Sequence, residues 1–282
     1  MTVSEYAGLH IGVVTGQRRP FPELVERWKE LETLGFDSAW VTDHFITGNT
    51  PEDDSEIFFE AWTVIAALAM ATERIRFGVM VSGNTYRNPA LLAKEAVTVD
   101  HISSGRVDLG LGAGWWEREH DAYGYAFPEP RELVDRFQEA LEIIDSLQTR
   151  ERTTYKGKYY WMTDAPFVPK PIQQPRVPLL VGSFGPRMLA LTAKHADIWN
   201  TRGSVEDAAE RSRLLDEKCR EIGRDPQSLS RSIWPHQHPW ESLDNVKQVI
   251  ESYREHGFSH FIFSWPPDDK LDVMRDFAKQ LG

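Results

Sequence analysis

The chain has one cysteine, Cys219, in 282 residues. That excludes an internal disulfide and a thiolate-held metal site. His236 and His238, two residues apart, have no third ligand at a recognisable metal spacing, so no metal is expected. Positive charge is in the minority: 32 Lys and Arg against 43 Asp and Glu leave a net charge of -11. No basic patch interleaved with aromatics is present, which argues against a nucleic-acid surface. The longest apolar run, around residues 62–70, is far short of the ~20 residues a membrane helix needs. The first residues combine neither a basic segment nor an apolar one, so no secretory signal is expected. Glycine-rich GxGxxG is missing after the first strand, which removes the dinucleotide fingerprint. These absences leave a cytoplasmic protein acting on a small molecule, with no nucleic acid, membrane or metal as partner.

What is present is ordinary globular composition, 41% apolar, in a length that suits a single domain over residues 1–282. The chain is organised around residues 75–116, IRFGVMVSGNTYRNPALLAKEAVTVDHISSGRVDLGLGAGWW. Residues 75–81 form a short β-branched run suited to a strand buried on both faces. Asn88-Pro89 starts a helix, in which Leu92, Ala96 and Val99 recur at helical spacing. Ser103-Ser104-Gly105 stops it, and 107–111 is a second apolar run. Two strands joined by one crossover helix are parallel, giving a βαβ unit.

The rest of the chain repeats this unit. Strands are expected at 9–14, 38–42, 178–182, 197–200, 229–234 and 260–264. Helices are expected from Pro22 to Gly35, at 60–70, 131–147 and 186–195, from Ser204 to near Gly223, at 242–256, and through Leu271, Met274, Phe277 and Leu281. A hairpin at 153–162, turning at Lys156-Gly157-Lys158, precedes prolines 166, 169, 171, 175 and 178, which hold the chain extended. Eight strands alternating with eight helices predict an α/β fold, a (β/α)8 TIM barrel with a hairpin and proline-rich insertion between strands four and five. An open doubly wound sheet is the rival, and usually needs fewer strands.

In a barrel, ligands sit at the carboxyl ends of the strands. Asp43 and His44 fall at the end of strand two, where an imidazole can pass a proton near neutrality and the adjacent carboxylate can orient it or meet a ligand. The plainer reading is a loop histidine bonded to a backbone carbonyl. Gly182, Ser183, Gly185, Pro186 and Arg187 span the end of strand five and the start of a helix. Small residues and free helix N-terminal amides there suit a phosphate. An ordinary glycine-containing turn is the alternative. Residues 79–84 join a strand to small and polar residues beside the mouth, where a bulge against a flat ligand or a plain loop would fit. Trp115, Trp116, Trp234, His236, His238 and Trp265 crowd the ends of strands four, seven and eight, lining an apolar pocket or packing loops over the barrel. Cys219 lies on a helix stripe with Leu215 and Ile222 and reads as core.

The stretches GFDSAWVTDHF, residues 74–115, KGKYYWMTDAPFVPKPIQQPRVPLLVGSFGP and LTAKHADIWN resemble the luciferase-like monooxygenase superfamily, in its branch of oxidoreductases dependent on the deazaflavin coenzyme F420. The resemblance is clear over residues 8–203. It implies a barrel with the deazaflavin at the strand ends, backed by a bulge with a non-proline cis peptide within 79–82, at Met80-Val81, beside Ser82. It places the cofactor phosphate at Gly182, Ser183, Gly185 and Pro186, with Arg187 adding charge. It sets Ala113, Gly114 and Trp115 along the ring and ribityl chain, and Asp43 and His44 at the ring's reactive edge. Relatives that oxidise sugar phosphates carry a glutamate acid where this chain has Trp115. That departure puts the sugar-phosphate class in doubt and makes the pocket more apolar.

The resemblance thus implies hydride transfer between F420 and a small, largely uncharged organic substrate, with His44 as proton donor or acceptor. Tyr86, Trp116, Trp234, His236, His238 and Trp265 are the residues expected to meet that substrate. A reduced-FMN two-component monooxygenase on the same fold stays open, as does a flavin-binding protein without turnover. Further copies of the chain, in a homodimer or larger homo-oligomer, are the other expected partner.

Overall fold

The computed structural model describes residues 6–48 and 56–281. Its strands and helices alternate from β1 (His10–Val14), α1 (Phe21–Leu34), β2 (Ser38–Val41) and α2 (Ala61–Ala69) to β3 (Arg76–Val79). After β3 come β4 (Ser82–Gly83), α3 (Pro89–Ser103), β5 (Val107–Gly112), α4 (Glu117–Tyr123) and α5 (Pro130–Thr149). A hairpin of β6 (Arg152–Lys156) and β7 (Trp161–Pro166) leads to β8 (Leu179–Gly182), α6 (Pro186–His195), β9 (Ile198–Gly203) and α7 (Val205–Glu221). The chain closes with β10 (Ser230–Pro235), α8 (Leu243–Arg254), β11 (His260–Ser264) and α9 (Leu271–Ala278).

All barrel strands are parallel, in the order β3-β2-β1-β11-β10-β9-β8-β5. Pairing of β5 with β3, at Phe77 opposite Val107, closes the ring. The short β4 resumes the β3 position beyond a bulge and pairs Ser82 with Leu111. This is the eight-stranded (β/α)8 barrel, with helices outside. Local chemistry sets the helix ends: Pro22 lies in the first turn of α1 and Gly35 at φ 86 beyond its end, Glu60 accepts from the Trp62 and Thr63 amides at α2, and Asn88 caps α3. One face of each outer helix then buries against the strands, as Leu24, Trp28 and Leu31 do on α1. Full burial of such side chains contributes about 1.5–3 kcal/mol each.

Inside the barrel, Val14, Trp40, Met80, Leu180 and Ile262 form a separate small core. Gly78 makes room for it: a Cβ there would lie 2.5 Å from the Asp108 carbonyl and 2.6 Å from the Trp40 ring. Below this layer the interior is polar. His10 and His260 pack with ring centroids 3.9 Å apart, His10 Nε2 meets Ser38 Oγ at 2.8 Å, and Arg76 pairs with buried Asp108.

Three local expectations are corrected. Residues 117–123, unassigned from sequence, form α4, which closes on Gly124 at φ 72. The hairpin turn is wider than Lys156-Gly157-Lys158: Gly157 N donates to Tyr160 O, because Glu139 on α5 accepts the amides of Lys158, Tyr159 and Tyr160 at 2.7–3.0 Å. Strand six runs on to Gly203, well past Asn200. The proline-rich segment wraps under the barrel, where Gln173 Oε1 accepts from Arg76 at 3.0 Å and buried Asp100 accepts from the Ile172 amide at 2.6 Å.

Candidate active site

The strand ends enclose a cavity of about 1350 Å³, larger than the ~300–1,000 Å³ of ordinary ligand pockets. Its inner wall is the bulge between β3 and β4, where the Met80-Val81 peptide is cis. Neighbouring strands yield to that bulge through glycine. A Cβ on Gly112 would meet Val81 Cγ2 at 2.7 Å, one on Gly182 would meet it at 3.1 Å, and one on Gly110 would run into the Val79 carbonyl. The G-L-G and V-G spacings of β5 and β8 are therefore the complement of the bulge.

Asp43 supports this wall. Its carboxylate is buried and accepts from Gly83 N at 2.8 Å and from both Arg87 terminal nitrogens, at 2.6 and 2.9 Å. Asp43 is thus spent on the backbone behind the bulge, and it does not orient His44 as its position in the sequence suggested. Arg87 also pairs with Glu60 and, at 3.3 Å, with Glu95. Ser82 lines the cavity while its Oγ accepts from Trp62 Nε1 at 3.0 Å.

The partner of His44 is Glu119, 75 residues away on α4, with Nδ1 and Oε2 2.9 Å apart. Glu119 is fully buried. It also accepts from the Phe45 amide at 2.6 Å, the Ile46 amide at 3.3 Å and the Tyr86 hydroxyl. Burial pushes this carboxyl up, but the bonds from His44, Tyr86 and Phe45 outweigh it and hold Glu119 below its usual range. Burial first, then the Glu119 bond and charge, raise Tyr86 far above an ordinary phenol, so its proton stays in place as a donor. An ionised carboxylate only accepts, so Nδ1 of His44 carries the hydrogen facing it. Nε2 is left as the ring nitrogen not engaged by Glu119. Trp115 and Trp116 stack 5.5 Å apart at 7° and both stand edge-on to His44.

At the β8 end, Gly182, Ser183 and Gly185 line the cavity, whereas Pro186 and Arg187 do not. Ser183 is not a free ligand: its hydroxyl lies 2.9 Å from Thr192 Oγ1 and its amide donates to Asn200 O at 3.1 Å. Gly185 caps α6 with no side-chain cap, and the first backbone bond runs from Leu189 N to Gly185 O. The amides ahead of Leu189 have no intrahelical partner. A Cβ on Gly185 would meet nothing within 4 Å. That open cradle fits a phosphate. Arg187 turns outward to Asp135 at 2.6 Å and borders a smaller groove with Arg131.

Of the expected substrate residues, Tyr86, Trp116, Trp234, His238 and Trp265 reach the cavity, as do Ala113 and Gly114 beside Trp115. His236 is exposed and does not. Sequence reasoning missed Glu119, Arg87 and the arginines of the mouth. The one local signal for Glu119 was E-R-E-H followed by Gly124, a helix-forming run ahead of a C-terminal glycine. Among the described residues no group of three or more His, Cys, Asp or Glu is placed to hold a metal, and no helix is long and apolar enough to cross a membrane.

The sequence matches the family described as luciferase-like monooxygenase over residues 5–262. The chain belongs to that family. It is 35% identical over 175 residues to an F420-dependent glucose-6-phosphate dehydrogenase of Amycolatopsis mediterranei, a match spanning 62% of this chain and 50% of the relative. It is 29% identical to an uncharacterised protein of Mycobacterium tuberculosis over 97% of this chain and 98% of that one. Its fold is that of an F420-dependent secondary alcohol dehydrogenase solved with an F420-acetone adduct: TM-score 0.84 at 21% identity, covering 97% of this chain and 99% of that chain.

Proposed function

We propose that this member of the family is an F420-dependent oxidoreductase that moves a hydride between the deazaflavin and a small organic substrate whose reacting part is uncharged. The observation that carries the reading is His44, fixed through Nδ1 by buried Glu119 at the edge of the cavity. Similarity to relatives named for F420 favours the deazaflavin, and the open cradle at Gly185 suits its phosphate.

In this reading, Met80, Val81 and Ser82 back the ring, Ala113, Gly114 and Trp115 flank it, and the turn from Gly182 to Gly185 takes the phosphate. The cofactor supplies or accepts the hydride. The chain supplies orientation, exclusion of water by the tryptophans, and a proton at His44 Nε2. Glu119 fixes the imidazole's orientation and tautomer through Nδ1. The sugar-phosphate substrate in the relative's name is not carried over, because Trp115 presents an apolar face beside His44.

The family's own description favours one second reading, a monooxygenase using reduced FMN. Anaerobic titration with F420 and with FMN, followed by turnover against ketones and secondary alcohols, separates the two. F420 is expected to bind more tightly and to exchange hydride without oxygen. Tight FMN binding with oxygen-dependent turnover would establish the second reading instead. Binding without turnover on any substrate would leave a carrier.

A further inference from the structure

Four arginines, Arg18, Arg19, Arg27 and Arg202, reach the cavity of a chain whose net charge is -11. The bulge and His44 lie on the β2–β3 side of the mouth. Arg202 ends β9, and Arg19 and Arg27 follow β1, so they bracket the arc that runs through β10 and β11. Elsewhere arginines find carboxylates, as Arg136 does with Glu132 and Arg275 with Glu30.

Among the described residues the arginines of this arc do not. The Arg27 guanidinium lies over the Trp265 ring, 4.5 Å from its centroid, and its one hydrogen bond among the described residues is a long one, 3.3 Å from Nη1 to Thr15 O. Arg202 lies over Trp234 at 4.9 Å. Arg19 has no hydrogen bond or ion pair among the described residues. Arg18 differs, turning to Thr47 O at 2.9 Å and to Glu56 at 3.9 Å. Of the two acids lining the cavity, Asp43 is committed to Arg87 and Gly83, which leaves Asp268. Burial and then the Arg19 charge press Arg27 below its ordinary value, and Asp268, Glu23 and Glu30 offset only part of this. A guanidinium resting on an indole face keeps its in-plane N–H donors free, and two like charges held together favour an anion between them.

We infer that Arg19 and Arg27 hold a carboxylate on the substrate, with Arg202 flanking it. Arg19 follows β1 and His44 follows β2, so an anion at the arginines sets the rest of the molecule toward the imidazole. The substrate is then an organic anion whose reacting carbon lies apart from its charge. This inference rests on reading the cavity as the oxidoreductase site.

The test is calorimetric titration with 4-acetylbenzoate and with its methyl ester, a matched pair differing in charge, in which the ring separates the ketone from the carboxylate. Both go into the F420-loaded protein and the cofactor-free protein, in the parent and in an Arg19→Gln/Arg27→Gln variant. The acid is expected to bind the parent about tenfold or more tightly than the ester. The variant loses that preference while its F420 affinity stays within about twofold of the parent. Equal affinity for acid and ester, or binding of neither, overturns the inference. So does a variant that loses F420 affinity, since the arginines would then serve the acidic tail of the cofactor. Arginine-dependent binding of the acid by a parent that fails to bind F420 keeps the anion site and removes the F420 reading.

Discussion

Arg87 gathers three carboxylates, Asp43, Glu60 and Glu95, and a single guanidinium cannot neutralise them all. Asp43 and Glu60 take the better geometry. Glu95 is left with burial as its largest influence and two like charges nearby, which outweigh the attraction of Arg87 and push it up to about 7. An unfolded glutamate titrates near ~4.3. Between that value and about 7 the folded chain keeps a proton that the unfolded chain releases, so stability falls as pH rises through the window. The loss is complete above it and amounts to at most about 4 kcal/mol. Glu95→Gln is therefore expected to raise the thermal midpoint at about pH 8 and to change it little at about pH 5. Equal shifts at both pH values would show that Glu95 is not the group responsible. Proximity in sequence misled at this scale: Asp43 beside His44 looked like its partner, while the orienting carboxylate came from 75 residues downstream.

At the scale of elements, barrel strands were legible because short, largely apolar runs recur between helix patterns and turn residues, and helix starts were legible because Pro22, Asn88 and Ser204 have local chemistry. The bulge was not legible from G-V-M-V-S-G alone, and only the family resemblance placed it. Helix α4 was missed because W-W-E-R-E-H carries no apolar stripe; its buried side chains are Glu119 and His120. Those two are satisfied by polar partners, His120 lying 2.7 Å from Trp116 O and 2.6 Å from Thr85 Oγ1. The β8–α6 turn was legible as small residues ahead of a helix start, but not which of its groups are free. Ser183 is consumed inside the protein and Gly185 faces open space. Gly185→Val keeps an allowed backbone, φ -82, and fills the cradle. It is expected to weaken F420 binding by about tenfold or more with the thermal midpoint nearly unchanged. Unaltered affinity in a fluorescence titration would place the phosphate elsewhere. Gly182→Val is a poorer probe, because its side chain would press on Val81.

The molecule as a whole puts its chemistry at one end of the barrel and a buried polar plug at the other. In that plug burial holds His10 below its ordinary value and His260 well below it. The folded chain keeps both neutral, while the unfolded chain takes up protons below ~6.5. Stability from these groups is complete above that value and is lost as pH falls beneath it, opposite in sign to Glu95. His260→Asn is expected to lose less of its thermal midpoint than the parent between about pH 7 and about pH 5. An identical acid limb in parent and variant would assign that limb to other groups. The His10–His260 effect acts at the opposite end of the barrel from His44, so acid stability and turnover can be measured apart.

Whether His44 moves the proton is decided by single-turnover hydride transfer in His44→Asn, followed across pH with F420 bound. Asparagine keeps a polar side chain of similar reach but cannot shuttle a proton near neutrality. The rate is expected to fall by ~10²–10⁴-fold, with F420 affinity and thermal midpoint close to the parent. The parent rate is expected to depend on pH through one ionisation, and the variant is expected to lose that dependence. A variant that keeps nearly full rate with the same pH profile would contradict the assignment and leave His44, with Glu119 behind it, as part of the wall.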